Sequence, residues 1–194
     1  MGEDEELYRR GAVKATADPK YEEAVKEVSR MANPPFLLLA HVRRSPRRDQ
    51  IKAEFGHPFR REVDGRCVGF AHDGGIEGYE VRQGRPDSLA IFDRILEALG
   101  PERRSEADFK QAVASAKASL DAEFPRKVSS FTFVMIDGDR LVAHRDARTC
   151  VPYFALHETR WEGMAVMCSE VLAGFEGKWR LLRNGEFLVL PSRG

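Results

Sequence analysis

Three short polar segments carry the side chains best suited to chemistry with a small ligand. His41-Val42-Arg43-Arg44-Ser45 follows an apolar run, and its Arg43 can bind a carboxylate through two parallel hydrogen bonds. Ala71-His72-Asp73-Gly74-Gly75 places two glycines after polar side chains, which lets backbone amides face a ligand. Arg85-Pro86-Asp87-Ser88 lies at the start of a predicted helix. Each segment stands at the end of a strand or helix, where a scaffold can present reactive groups.

Each of these segments also has an ordinary structural interpretation. Arg43 fits an internal ion pair, the two glycines after Asp73 fit a tight turn, and Asp87 fits a helix cap. The basic stretch 43–64 fits either a solvated loop or a loop that binds an anion at the end of a strand. The residues alone leave these alternatives open.

The elements that must position these segments follow from hydrophobic periodicity and capping signals. Helices are predicted from Pro19, with Asp18 as the cap, to the stop at Asn33-Pro34-Pro35, and over 87–99 and 105–120. Hairpin-linked strands dominate the last third of the chain, which favours an α+β fold over a doubly wound parallel sheet. The predicted strands are 36–42, 66–71, 128–136, 141–144, 153–156, 164–168 and 187–190, with 6–13 as an optional edge strand.

Composition excludes several classes of protein. The 194 residues are enough for one domain, expected to span 1–194, and no repeat or linker divides them. Lys and Arg total 31, as do Asp and Glu, so the zero net charge argues against a nucleic-acid or membrane-surface binder. No apolar run approaches a membrane span, and the three cysteines lack metal-site spacing. We therefore expect a cytoplasmic protein without cofactor or metal.

The order of the polar segments is more specific than any one of them. With His57-Pro58-Phe59 between the first two, the series resembles the class II glutamine amidotransferase domain of the N-terminal nucleophile (Ntn) hydrolase superfamily. Arg145-Asp146 after a strand, Ser169-Glu170 and Asn184-Gly185-Glu186 extend the similarity to roughly residues 36–190. His57 in place of the family's Gln favours the small stand-alone γ-glutamyl hydrolase-like members.

The resemblance implies a fold. It predicts an αββα sandwich of two mostly antiparallel sheets flanked by helices. The strands 36–42 and 66–71, apolar on both faces, are expected as adjacent central members. The helices 87–99 and 105–120 are expected to pack together on one outer layer.

The resemblance also implies a site for glutamine or a γ-glutamyl compound, with His57 among the substrate-binding residues. Arg43 would bind the ligand's α-carboxylate and Asp87 its α-ammonium, which agrees with the cation and anion that a zwitterion needs. The backbone N–H of Gly74 and residue 73 would form the oxyanion hole. A homodimer or a synthase partner is compatible with the family.

Two departures bear on activity. Met1-Gly2 stands where the family begins with a nucleophilic cysteine, so the chain is expected to start after that segment and to leave a gap or an unpaired sheet edge. Asp73 replaces the family's Asn, and an ionised Asp cannot donate to an oxyanion. The chain as given is therefore expected to be truncated or inactive. The alternatives are a non-catalytic binding module for an amino acid or a partner protein, and unrelated chemistry by Asp73, His41 and His72.

Overall fold

The computed structural model describes seven stretches of the chain, namely residues 7–31, 36–43, 51–79, 85–100, 105–161, 163–175 and 177–191. The helices in this part are α1 (Pro19–Arg30), α2 (Asp87–Leu99) and α3 (Glu106–Glu123). Its strands are β1 (Phe59–Val63), β2 (Arg66–Asp73), β3 (Thr132–Asp137), β4 (Arg140–His144), β5 (His157–Trp161), β6 (Met164–Cys168), β7 (Arg180–Leu181) and β8 (Phe187–Pro191).

The strands form two antiparallel sheets. The larger sheet has the order β1-β2-β3-β4-β8, and the smaller has the order β6-β5-β7. Every neighbouring pair is antiparallel, from the β1–β2 hairpin to the β4–β8 pair. This topology confirms the predicted α+β class with two antiparallel sheets.

The helices α2 and α3 pack together over one face of the larger sheet. Ser105 and Asp108 form the expected capping box at the start of α3, which satisfies backbone N–H groups that the first turn leaves free. The apolar stripes of both helices join one core with β2 and β3, in which the Phe70 ring stacks on Phe92 at 4.8 Å. Burial of each such ring contributes about 1.5–3 kcal/mol to folding. The two predicted helices and their packing are confirmed.

The smaller sheet covers part of the opposite face. Ala143 of β4 is buried against Leu156 and Leu182, which flank β5 and β7. Val134 of β3 and Leu188 of β8 pack against the same cluster. The larger sheet therefore lies between helices on one side and a second sheet on the other.

The predicted central strand 36–42 is wrong. Residues 36–43 form no strand, and the neighbours of β2 are β1 and β3. Leu39 lies over the sheet instead, because a Cβ added at Gly69 of β2 would be 3.6 Å from its Cδ2 atom. Phe36, Leu38 and Val42 remain 45%, 55% and 65% exposed. An apolar run of this length shows that a segment is partly buried, but it does not distinguish a place within a sheet from one over its face.

Three further boundaries differ from expectation. The strand β1 lies inside the stretch 43–64 that was expected to be irregular, and the Asp64-Gly65 turn that joins it to β2 is a standard hairpin signal. The strand predicted at 153–156 is wrong, because residues 151–153 form a turn and β5 begins at His157. Residues 7–13 of the optional edge strand form no strand, and its residue 6 and the stop at 33–35 lie outside the described stretches.

The helix α1 contributes no buried residue. Asp18 caps it as expected by accepting a hydrogen bond from the Lys20 backbone, and Pro19 is its first residue. Its apolar side chains stay accessible, with Tyr21 and Val25 44% and 50% exposed. None of the helices in the described stretches is both long and apolar enough to span a bilayer.

Candidate functional site

The end of β2 is anchored by a buried histidine. His72 Nε2 lies 3.0 Å from the Ser130 carbonyl oxygen, and its Nδ1 lies 2.9 Å from Ser88 Oγ. A carbonyl only accepts, so Nε2 carries the proton and donates to Ser130. Burial lowers the pKa of His72, so the ring is neutral and Nδ1 accepts from the Ser88 hydroxyl. His72 therefore joins β2 to the start of α2 and to the segment before β3.

The glycines after Asp73 are held by side chains from distant parts of the chain. Gly75 N–H donates to Ser129 Oγ at 2.9 Å, and the same hydroxyl donates back to the Gly75 carbonyl at 3.1 Å. Ile76 N–H donates to Asp87 Oδ2 at 2.6 Å. The loop 73–76 thus has a fixed backbone although it belongs to no regular element.

Gly74 occupies a position that other residues do not fit. Its φ of +153° is in a region that side-chain-bearing residues rarely adopt. A Cβ there would lie 2.6 Å from the Ser130 carbonyl oxygen and 2.9 Å from His72 Nε2. The loop needs glycine here for both conformation and space.

Asp87 both caps α2 and faces the loop. It is 8% exposed, and its Oδ1 accepts from Ser88 N–H at 2.7 Å while Oδ2 accepts from Ile76 N–H. An ionised carboxylate has about four acceptor positions, so capping leaves capacity for a ligand cation. The capping interpretation of Asp87 and its binding interpretation are therefore compatible.

Asp73 is the half-buried last residue of β2. Burial raises the pKa of its carboxyl group, and the neighbouring His72 acts in the opposite direction. The site thus contains a carboxyl group where an amide donor would serve an oxyanion.

Two further histidines form a contact close to this loop. The His41 and His57 rings meet edge to face at a centroid distance of 4.4 Å, and neither His57 nitrogen has a hydrogen-bond partner. Burial lowers the pKa of His41 to about 4 and the pKa of His57 well below its ordinary value. A charge on His72 would lower the pKa of both rings as well, which places this pair near the end of β2. Arg43 leaves the pair and donates through Nη1 to the Phe55 carbonyl at 3.0 Å.

A cleft of about 390 Å³ opens beside Asp87. Its walls combine loop backbone, hydroxyl groups and charges of both signs, from Gly75, Ile76, Glu77, Asp87, Arg126, Lys127, Val128, Ser129 and Thr149. Of the predicted site residues only Asp87 lines it, while Gly74 lies one residue from its wall. Arg43 and His57, both described, do not line it. Within the described stretches, no group of three or more His, Cys, Asp and Glu side chains is arranged to hold a metal ion.

Several of these residues were not predicted from the sequence. Ser129 and Ser130 interrupt the apolar run that was expected as one strand over 128–136, and that interruption is the signal that marks them. Thr149, Arg126 and Lys127 carry no comparable signal, because only the tertiary fold brings them beside Asp87.

The buried histidines predict a strong dependence of stability on pH. Burial lowers the pKa of His41, His57, His72 and His144 in the folded state, with His41 and His144 at about 4. The unfolded chain therefore binds more protons, and stability falls as pH decreases from about 6.5 towards 4. We expect the free energy of unfolding to fall by at least about 3 kcal/mol between pH 7 and pH 5. Asp73 acts in the opposite direction, because its raised pKa favours protonation of the folded state.

Urea denaturation followed by circular dichroism at several pH values measures this slope. The variants His41→Gln and His57→Gln should each flatten it, since each removes one titrating ring. A wild-type stability that stays constant between pH 7 and pH 5 would contradict this account.

Comparisons with known proteins agree with the site's position in the fold. The family model for class II glutamine amidotransferases matches residues 11–159. The putative glutamine amidotransferase YafJ of Escherichia coli (strain K12) is 26% identical over 184 residues, which cover 78% of this chain and 71% of YafJ.

Two solved structures share the fold. A predicted glutamine amidotransferase from Pseudomonas aeruginosa superposes with a TM-score of 0.52 at 23% identity, over 70% of this chain and 62% of the other. The glutamine phosphoribosylpyrophosphate amidotransferase of Bacillus subtilis gives 0.53 at 16% identity, over 78% of this chain. This chain spans less than two thirds of the first structure and about a third of the second, 32% of its length.

Proposed function

Because the chain belongs to the class II glutamine amidotransferase family, we propose that it binds glutamine or a γ-glutamyl amide beside the loop 73–76. We further propose that this binding is not followed by amide hydrolysis at an enzyme-like rate. The observation that carries the proposal is the buried Asp87 carboxylate, which lines a cleft next to the Gly74-Gly75 backbone.

The ligand's ammonium group is assigned to Asp87. A carboxylate that is 8% exposed and lines a cleft attracts a cation more strongly than a fully solvated one. Its two capping bonds to backbone N–H groups keep the carboxylate oriented, so a ligand meets a fixed acceptor. A ligand of this size with one such anchor is expected to bind with a millimolar dissociation constant, about −4 kcal/mol.

The ligand's amide end is assigned to the loop and to the nearby histidine. Gly74 is proposed to direct its backbone N–H at the amide oxygen. His57, whose buried ring nitrogens have no partner, is proposed to hydrogen-bond the amide. An unpaired buried polar group costs about 1–3 kcal/mol, which a ligand contact would recover. The resemblance implies Arg43 as the partner of the ligand's carboxylate.

Two features support binding without hydrolysis. Asp73 occupies the position of the second oxyanion donor, and loss of one such donor costs about 100- to 1000-fold in rate. Cys67, Cys150 and Cys168 are all described, and none lines the cleft beside Asp87. The competing hypothesis is an amidohydrolase of the family, which the family assignment favours.

The test for binding is a titration of ¹⁵N-labelled protein with L-glutamine, followed by chemical shifts. We expect saturable shifts in residues 72–76 and at Asp87. Asp87→Asn should weaken binding about tenfold or more, because it removes the charge that pairs with the ammonium group. Asp93→Asn is the matched control, since Asp93 lies on the same helix and pairs with Arg61.

The same samples separate the two hypotheses through release of glutamate. A turnover near 1 s⁻¹, about the lower end for enzymes, that disappears when a cysteine is replaced would establish the amidohydrolase. Absence of any saturable shift with glutamine would refute the binding proposal itself.

A further inference from the structure

The cleft beside Asp87 contains its own cations. Arg126 and Lys127 line the same cavity as Asp87, and both side chains are exposed. We infer that Arg126, assisted by Lys127, binds the α-carboxylate of the amino acid whose ammonium group pairs with Asp87. This inference rests on the proposed function and assigns the carboxylate to a residue other than Arg43.

Backbone pairing places Lys127 on the cleft side. Glu77 N–H donates to the Lys127 carbonyl at 3.1 Å, and Ser129 N–H donates to the Gly75 carbonyl at 2.9 Å, on either side of the Ile76–Val128 bridge. Ile76 and Val128 point into the core. Side chains alternate along paired segments, so Lys127 lies on the same face as the Ser129 hydroxyl.

Arg126 is the stronger candidate of the two cations. Glu77 stands opposite Lys127 in the pairing and also lines the cleft, so it reduces the field that Lys127 offers an anion. No ion pair in the described stretches includes Arg126. Its guanidinium group can bind a carboxylate through two parallel hydrogen bonds, which a lysine ammonium group does not offer. With Asp87 on the opposite side of the charge balance, the cleft matches a zwitterion.

The covalent structure of an amino acid decides against a carboxylate partner outside the cleft. The α-ammonium and α-carboxylate groups are attached to the same carbon, so their partners must face one cavity. Arg43 is exposed, donates to the Phe55 carbonyl, and is not among the described residues that line the cleft with Asp87. Arg126 meets the condition, and Arg43 does not.

The experiment compares ligands that differ by one charged group. Wild-type protein is titrated with L-glutamine and with 4-aminobutanamide, which keeps the amine and the amide but lacks the carboxylate, and chemical shifts report binding. We expect glutamine to bind about tenfold tighter or more. Arg126→Gln should abolish this preference and Lys127→Gln should reduce it, while affinity for 4-aminobutanamide stays unchanged. Arg43→Gln should leave the preference intact.

Lys110→Gln is the matched control for loss of a surface charge, since Lys110 pairs with Glu106 on α3. If the preference is lost in Arg43→Gln and kept in both Arg126→Gln and Lys127→Gln, the inference is overturned while the proposed function stands. If wild-type protein binds 4-aminobutanamide and glutamine equally, no residue binds the carboxylate and the inference is also wrong. If glutamine produces no saturable shift, the proposed function is the one that fails.

Discussion

Replacement of Arg145 by methionine is expected to destabilise the fold by about 3–5 kcal/mol, the range for a buried charged group whose partners are left unpaired. Arg145 is 4% exposed and donates to three backbone carbonyls, those of Phe154 at 3.0 Å, Leu182 at 2.8 Å and Val151 at 2.9 Å. Its own backbone pairs with Gly185 and Glu186. The side chain thus joins the end of β4 to both connections that hold the smaller sheet.

Arg145→Lys tests the geometry apart from the charge. A lysine ammonium group cannot reach three carbonyls that a guanidinium fork bonds together, so most of the loss should remain. Arg160→Met is the matched control, because Arg160 is exposed on β5 and its replacement should change stability by no more than about 0.5 kcal/mol. Chemical denaturation measures all three variants. A loss under about 1 kcal/mol for both Arg145 variants would contradict this role.

Substitution of Gly74 by alanine is expected to cost about 3 kcal/mol and to abolish glutamine binding. The new Cβ would lie 2.6 Å from the Ser130 carbonyl oxygen, and that carbonyl is held by the His72 ring at 3.0 Å. Neither neighbour is a flexible side-chain end, so the loop 73–76 must move. The φ of +153° adds conformational strain for any residue with a Cβ.

Gly65→Ala separates the two contributions. Gly65 also has a positive φ, +72°, but a Cβ there meets nothing within 4 Å. Its replacement should cost only about 1 kcal/mol, the conformational part of the penalty. Denaturation and glutamine titration of both variants provide the comparison. Equal losses of stability, with binding retained in Gly74→Ala, would show that the loop tolerates a side chain.

The elements that the sequence predicts well are those with local signals. Helix α3 carries its capping box and its apolar stripe within its own residues, and the Asp137-Gly138-Asp139 turn marks the hairpin of β3 and β4. The segment 36–43 has no such signal, because its position depends on which strands occupy the two edges of β2. The two arginines of β1 concealed a strand that pairs along its whole length.

The site shows the same division. Asp87 and Gly74 stand in short motifs that can be recognised in sequence, and the structure places both at the loop 73–76. The roles of Arg43 and His57 remain predictions, since the structure puts Arg43 at the Phe55 carbonyl and His57 against His41. Ser129 was not predicted, because its contact with Gly75 joins residues 54 positions apart.

That long-range contact has a consequence for the order of folding. The loop 73–76 takes its shape from Asp87, 11 residues from Ile76, and from Ser129, 54 residues from Gly75. Closure of the longer of these two loops requires α2 and α3 to be in place between the partners, and non-local contacts of this kind form slowly. The ligand site is therefore completed late in folding, so a partly folded chain can contain native helices and hairpins and still be unable to bind.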